Sequence, residues 1–204
     1  MHDDGVIKYR CEWQCNELAF ENEEALMELI VWRDRLHAAG LIGVYPDGVG
    51  FGNVSRRLTR QSFGVTGTQT GHHMLSQPAH YTLVDRWNID QNALHCVGPI
   101  KASSESLTHA ALYEHSADIQ AVVHVHHASL WATYQHKLPT TSADVPYGTP
   151  AMAYEMWRLF RESELCHQKI LVMAGHEDGL IAFGNSLSAA VAILLELLDQ
   201  LARC

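Results

Sequence analysis

The sequence predicts a single α/β domain whose sheet is mixed or largely antiparallel. Three observations carry that prediction. Apolar residues recur at helical spacing in some stretches and gather in β-branched runs in others. The two kinds of segment do not alternate in the regular way that builds a doubly wound parallel sheet. The 204 residues also contain no internal repeat, low-complexity tract or Pro-rich linker, which suits one domain with a sizeable core. We read that domain as 1–204, with 1–15 as a flexible N-terminal extension.

The elements follow in order. Leu18, Leu26, Leu29, Ile30 and Leu36 recur at roughly helical spacing, so 16–39 reads as a helix with Gly40 as its stop. From 41 to 71, Gly-rich turns such as Tyr45-Pro46-Asp47-Gly48 separate short β-type runs, among them Ser62-Phe63-Gly64-Val65. Residues 81–98 read as a hairpin turning near Asp90-Gln91-Asn92. A second helix spans 104–115, with Ser103 or Ser104 as N-cap. The β-branched run 120–127 is a strand, and 128–136 is a short helix. Pro150 suits the first turn of a helix over 150–165. Residues 170–183 read as two strands around a Gly-containing turn. Asn185 or Ser186 caps a final amphipathic helix reaching about Arg203.

Composition narrows the function. The formal charge of −9 repels phosphate backbones and argues against nucleic acid as a partner. The longest apolar run, Ala189 to Leu195, is far too short to span a membrane. The segment MHDDGVIKYR lacks the apolar run of a signal peptide. Five cysteines, at 11, 15, 96, 166 and 204, are odd in number and contain no C-x-x-C pair. Free thiols in a reducing cytoplasm are the expectation.

Fourteen histidines stand out, and their placement matters more than their number. In Val122-Val123-His124-Val125-His126-His127, alternation along a strand sends His124 and His126 to one face, about 7 Å apart at Cα. Two imidazoles so placed can meet one ion at nitrogen distances near ~2.0–2.1 Å. Two strand histidines without an ion are the plain alternative. Ala174-Gly175-His176-Glu177-Asp178-Gly179 holds a further histidine, and a hairpin turn explains that run as well. Ser103-Ser104-Glu105 precedes a helix, where free amides favour anions, although ordinary capping uses the same residues. The Gly50-Phe51-Gly52-Asn53 and Thr66-Gly67-Thr68 stretches can present amides and hydroxyls to a phosphate, or simply turn the chain.

Taken together and in this order, these pieces resemble the class II aldolase/adducin family. The resemblance runs from about Asn16 to the C-terminal helix. It rests on Gly52-Asn53-Val54-Ser55, Thr66-Gly67, Ser103-Ser104-Glu105 with His109 and Tyr113, the His124-x-His126 pair, and the strand ending Gly179–Gly184. It implies an α/β/α sandwich around a mixed, mostly antiparallel sheet, and a cyclic homotetramer with active sites at subunit interfaces. It further implies a Zn2+-dependent aldolase cleaving a small phosphorylated ketose by retro-aldol chemistry. His124, His126 and His176 become metal ligands. Glu105 becomes both a metal ligand and the general base. Asn53, Thr66, Gly67, Ser103 and Ser104 become the phosphate cradle. Mn2+, Co2+ or Fe2+ also suit such ligands.

The chain departs from the family pattern at two places. The family's third histidine directly precedes a glycine; here Asp178 stands there and His176 lies two residues earlier. We favour His176, because imidazole suits a neutral-ligand zinc site, with Asp178 as the alternative. The stretch between Leu138-Pro139 and Val145-Pro146-Tyr147-Gly148 is short, which leaves Tyr147 as the nearest match to the family's proton-donating tyrosine. An epimerase or dehydratase can use the same centre. A non-catalytic, adducin-like binding protein is the alternative of a different class.

Overall fold

The computed structural model describes residues 6–18 and 20–203. Its centre is an eight-stranded mixed sheet with strand order β1-β7-β6-β5-β4-β8-β10-β9. The strands are β1 (Arg10–Cys15), β4 (Asn53–Thr59), β5 (Ser62–Thr66), β6 (Tyr81–Asn88), β7 (Ala93–Gly98), β8 (Ala121–His126), β9 (Ile170–Val172) and β10 (Gly179–Gly184). Every neighbouring pair is antiparallel except β1 with β7. The short strands β2 (Gly43–Val44) and β3 (Gly50–Phe51) form a separate hairpin. The helices are α1 (Glu23–Ala38), α2 (Ser106–His115), α3 (Ala128–Tyr134), α4 (Pro150–Glu162), α5 (Leu165–Gln168) and α6 (Leu187–Ala202).

Strand alternation divides the core in two. On β8 and β10, Val122, Ile181 and Phe183 join a cluster with Leu107, Ala111, Met152 and Met156 of α2 and α4. Val123, Val125, Leu180 and Ala182 join the opposite cluster, with Leu29 and Leu36 of α1 and Val191 and Leu194 of α6. Helices therefore cover both faces of a mostly antiparallel sheet, the α/β architecture expected from the sequence. Among the described residues, no helix is long and apolar enough to cross a membrane.

Helices α3 and α4 end at Tyr134 and Glu162, two and three residues short of the sequence reading, and three starts differ from it. Helix α1 starts at Glu23, because the Asn22 side chain accepts from the Ala25 N–H and two glutamates fill the first turn. Helix α2 starts at Ser106 behind Glu105, so neither Ser103 nor Ser104 caps it. The third concerns the extension expected over 1–15. Residues 10–15 are instead a sheet-edge strand, paired in register from Arg10↔Ala93 to Cys15↔Gly98; residues 1–5 lie outside the described residues.

Candidate metal centre

Strand β8 lies between β4 and β10, and all six of its residues are buried. Its valines at 123 and 125 face the α1/α6 core. His124 and His126 therefore face the α2 side, where they are 1% and 4% exposed. The third imidazole arrives from the turn between β9 and β10. There the His176 N–H donates to the Met173 carbonyl at 3.1 Å and the Gly179 N–H to the His176 carbonyl at 3.0 Å. Gly179 makes room for the meeting: a Cβ there would stand 3.3 Å from His124 Nε2 and 3.4 Å from His176 Cγ. The ring centroids lie 4.8 Å (124–126), 5.1 Å (124–176) and 4.6 Å (126–176) apart.

One nitrogen from each ring lies within 4.8 Å of the others, in a grouping able to hold an ion after a small inward turn of the rings. Burial and the neighbouring imidazoles at 126 and 176 push the pKa of His124 well below its ordinary value, so the ring stays neutral, as a metal ligand must. Its Nε2 is fully buried without a hydrogen-bond partner among the described residues. Such an atom is costly unless something fills the centre. The donor set therefore fits a divalent cation. Asp178 does not join the group. It takes a left-handed conformation (φ 64) and lines an outer recess instead, so His176 is the histidine that meets the strand pair.

The other expected residues divide. Glu105, 1% exposed, places Oε1 3.6 Å from His176 Nδ1. Asn53, Gly67, Ser103, Ser104 and Glu105 line one cavity with the three histidines. Thr66 does not reach that cavity: its Oγ1 accepts from the Val54 N–H at 3.2 Å, tying β5 to β4. Thr68, Gln69 and Thr70 stand at the wall instead. That loop is anchored by the buried Arg33, whose Nη2 donates to the Thr70 carbonyl at 2.9 Å. Gly67 also has a packing role, since a Cβ would meet Ile100 at 2.3 Å. Tyr147 is absent from the cavity wall but stacks on His176, with centroids 4.4 Å apart and planes at 19°.

The cavity volume of about 20 Å³ holds roughly one water-sized body. A wider recess of about 350 Å³ shares the lining residues Phe51 and His126 with it, and is also lined by Tyr45, His127, Ser129 and Asp178. Tyr45 is a site residue that the sequence reading passed over as part of a turn. Its Oη lies 2.7 Å from His126 Nδ1. With Nε2 turned to a cation, Nδ1 carries the ring proton and donates it to that oxygen. Nothing in a Tyr-Pro-Asp-Gly turn announces this contact. Deeper still, Ser55 Oγ lies 2.7 Å from His109 Nδ1 and 2.8 Å from Tyr113 Oη. Burial pushes the pKa of His109 down to about 3.

Comparison with solved structures places this fold among known ones. An L-fuculose 1-phosphate aldolase is 18% identical with a TM-score of 0.67, over 91% of this chain and 86% of that one. A sugar-phosphate aldolase from Thermotoga maritima is 17% identical with a TM-score of 0.67, over 88% and 94%. YgbL of Klebsiella pneumoniae, suggested to be an aldolase, epimerase or decarboxylase, is 20% identical with a TM-score of 0.65, over 90% and 89%. At such identities the likeness speaks for the fold alone. No curated protein matches the sequence. The family model described as Class II Aldolase and Adducin N-terminal domain matches residues 47–204, from the turn beside Tyr45 through the whole histidine cluster, and the chain belongs to that family.

Proposed function

We propose that the protein is a divalent-metal aldolase that cleaves a small phosphorylated ketose. The observation that carries this reading is the convergence of three buried imidazoles and the Glu105 carboxylate on one cavity. His124, His126 and His176 would hold the cation, with Glu105 beside them. A cation there supplies Lewis-acid stabilisation of the negative charge that aldol cleavage leaves on substrate oxygens.

The chain's own groups do the rest. Among the described residues Glu105 is the one carboxylate on the cavity wall; it takes the hydroxyl proton as the carbon–carbon bond breaks and returns it to the carbon that keeps the electron pair. Its burial keeps bulk water from competing for that proton. Asn53 serves two sides. Its Nδ2 stands 3.2 Å from His124 Nδ1; with the amide turned over, Oδ1 would accept from Nδ1–H and fix the tautomer that points Nε2 at the cation. The amide nitrogen then faces the cavity as a donor, beside the Ser103 and Ser104 hydroxyls and the backbone of Gly67. The phosphate is larger than the 20 Å³ space, so these donors meet it at the cavity's open mouth and orient the reacting end. The substrate's remaining carbons occupy the 350 Å³ recess, a size within the range of small-molecule sites. The same reading treats the chain as one functional unit over 1–204, the cation as zinc, the assembly as a tetramer and the compartment as the cytoplasm.

One observation favours a second reading. No lysine or arginine lines either cavity among the described residues, which also suits a non-phosphorylated polyol. Zinc-loaded protein should release dihydroxyacetone phosphate from a ketose 1-phosphate. Release from the free ketose alone would favour the polyol, and an epimer or dehydrated product on NMR would favour epimerase or dehydratase chemistry. No turnover with stoichiometric zinc bound would overturn the enzymatic reading.

A further inference from the structure

The N-terminal segment precedes the residues matched by the family model, yet it reaches the histidine cluster. Lys8 Nζ stands 3.6 Å from the centre of the Tyr147 ring. That ring, 4% exposed, stacks on His176 at 4.4 Å. An ammonium and an imidazole this close to one ring centre cannot share a face, so Tyr147 is held between them. Lys8 is itself pinned. Its carbonyl accepts from Asn92 Nδ2 at 2.9 Å, and the Arg10 N–H donates to the Asn92 carbonyl at 2.7 Å. Tyr9 Oη lies 3.1 Å from the Ala102 carbonyl and 2.9 Å from the Ser103 carbonyl. The segment thus grips both the tyrosine beside His176 and the backbone leading to Glu105.

We propose that Lys8 is a positioning residue of the metal centre: its ammonium clamps the Tyr147 ring, and that ring fixes the angle of the His176 imidazole. The physical case lies in where the ligands come from. His124 and His126 sit on a central strand, where His124 pairs with β4 and β10 and His126 pairs with β10 and donates its N–H to the Leu41 carbonyl at 3.1 Å. His176 comes from a turn, where the backbone gives more easily. The ligand with the weakest backbone support is the one that gains most from a ring packed against it. A cation over the second face of that ring adds attraction through its quadrupole.

This inference rests on the metal-centre reading, and the test separates the two. Zinc affinity is measured by competition with a chromogenic chelator, and the cobalt-substituted protein is recorded in the visible range. Wild type, Lys8→Met, Lys8→Arg and His176→Ala are compared, together with the melting temperature of each metal-free protein. Lys8→Met is expected to raise the zinc Kd roughly three- to tenfold and to alter the cobalt spectrum. Lys8→Arg should restore both, and the metal-free melting temperatures should not move. Wild-type affinity and spectrum in Lys8→Met would overturn the clamp while leaving the metal centre standing. Loss of affinity that tracks a lowered melting temperature, without rescue by arginine, would overturn it too. Wild type that binds no more zinc than His176→Ala would sink both.

Discussion

Replacing Tyr45 by phenylalanine removes one oxygen and little else. The ring packs on Phe51 at 4.6 Å and meets His126 edge-on at 6.0 Å, and phenylalanine keeps both contacts. What goes is the 2.7 Å contact between Oη and His126 Nδ1. A net hydrogen bond of this kind is worth about 0.5–1.5 kcal/mol, or roughly two- to twelvefold in an equilibrium constant. Outer partners of metal-bound histidines cost about 10- to 100-fold when lost. The contact is only part-buried, so water can replace some of it, and the lower end applies: the zinc Kd should rise about tenfold in Tyr45→Phe. Isothermal titration against a competing chelator measures this, with the metal-free melting temperature as control. Unchanged affinity would refute the idea that Tyr45 orients His126. A large fall in melting temperature would mean that the hairpin carrying Tyr45 matters for folding rather than for the metal.

Three further outcomes are expected. Glu105→Gln should keep zinc binding within about tenfold while turnover falls roughly 100- to 10,000-fold, read by steady-state kinetics alongside metal analysis. The metal-free protein should lose stability in acid. The folded-state pKa of His109 is about 3, below its ordinary 6.5, so its neutral form stabilises the fold above pH 6.5, and that contribution is lost as pH falls toward 3. His124 is shifted the same way, so denaturant midpoints should be flat above neutrality and drop steadily below pH 6.5, and a flat profile down to pH 4 would count against both assignments. Gly52→Ala should destabilise by about 2–4 kcal/mol, because φ is +77° there and the new methyl would stand 2.7 Å from Ile42; urea denaturation tests it.

What the sequence made legible was local. The His124/His126 pair needs only the two-residue period of a strand, and the hairpin over 81–98 needs only two runs and a turn. Ser186 at the start of α6 and Pro150 at the start of α4 carry their own end signals, and both stand where expected. The start of α1 was legible too, in Asn22 followed by Glu23 and Glu24, but scattered leucines pulled the reading upstream. Strand β1 was hidden for a physical reason. It is an edge strand whose residues are mostly exposed, so no alternation of apolar and polar side chains marks it; pairing with β7 defines it. The family resemblance of Thr66-Gly67 implies a place for Thr66 in the phosphate cradle, but the strand directs its hydroxyl to the Val54 amide. Tyr45 and Lys8 reach His126 and Tyr147 across 81 and 139 positions of chain, and no periodicity encodes such contacts.

The elements that carry the candidate ligands differ in how much of the fold depends on them. Strand β8 pairs with β4 on one side and β10 on the other, so moving His124 would disturb two ladders at once, and moving His126 would disturb its pairing with Gly179 and its bond to the Leu41 carbonyl. Glu105 sits just ahead of α2 without a side-chain cap, and His176 sits on a turn. The recess beside the cluster is lined almost wholly from loops, hairpin and helix starts: Tyr45, Pro46, Phe51, Ser129 and Asp178. Ligand geometry at the centre is thus tied to folding, whereas the walls that meet the rest of a substrate can change at little cost to stability. A scaffold built this way can keep one metal chemistry and alter what it acts on. On the proposed function, the residues that decide the substrate are therefore to be sought around the 350 Å³ recess rather than on β8.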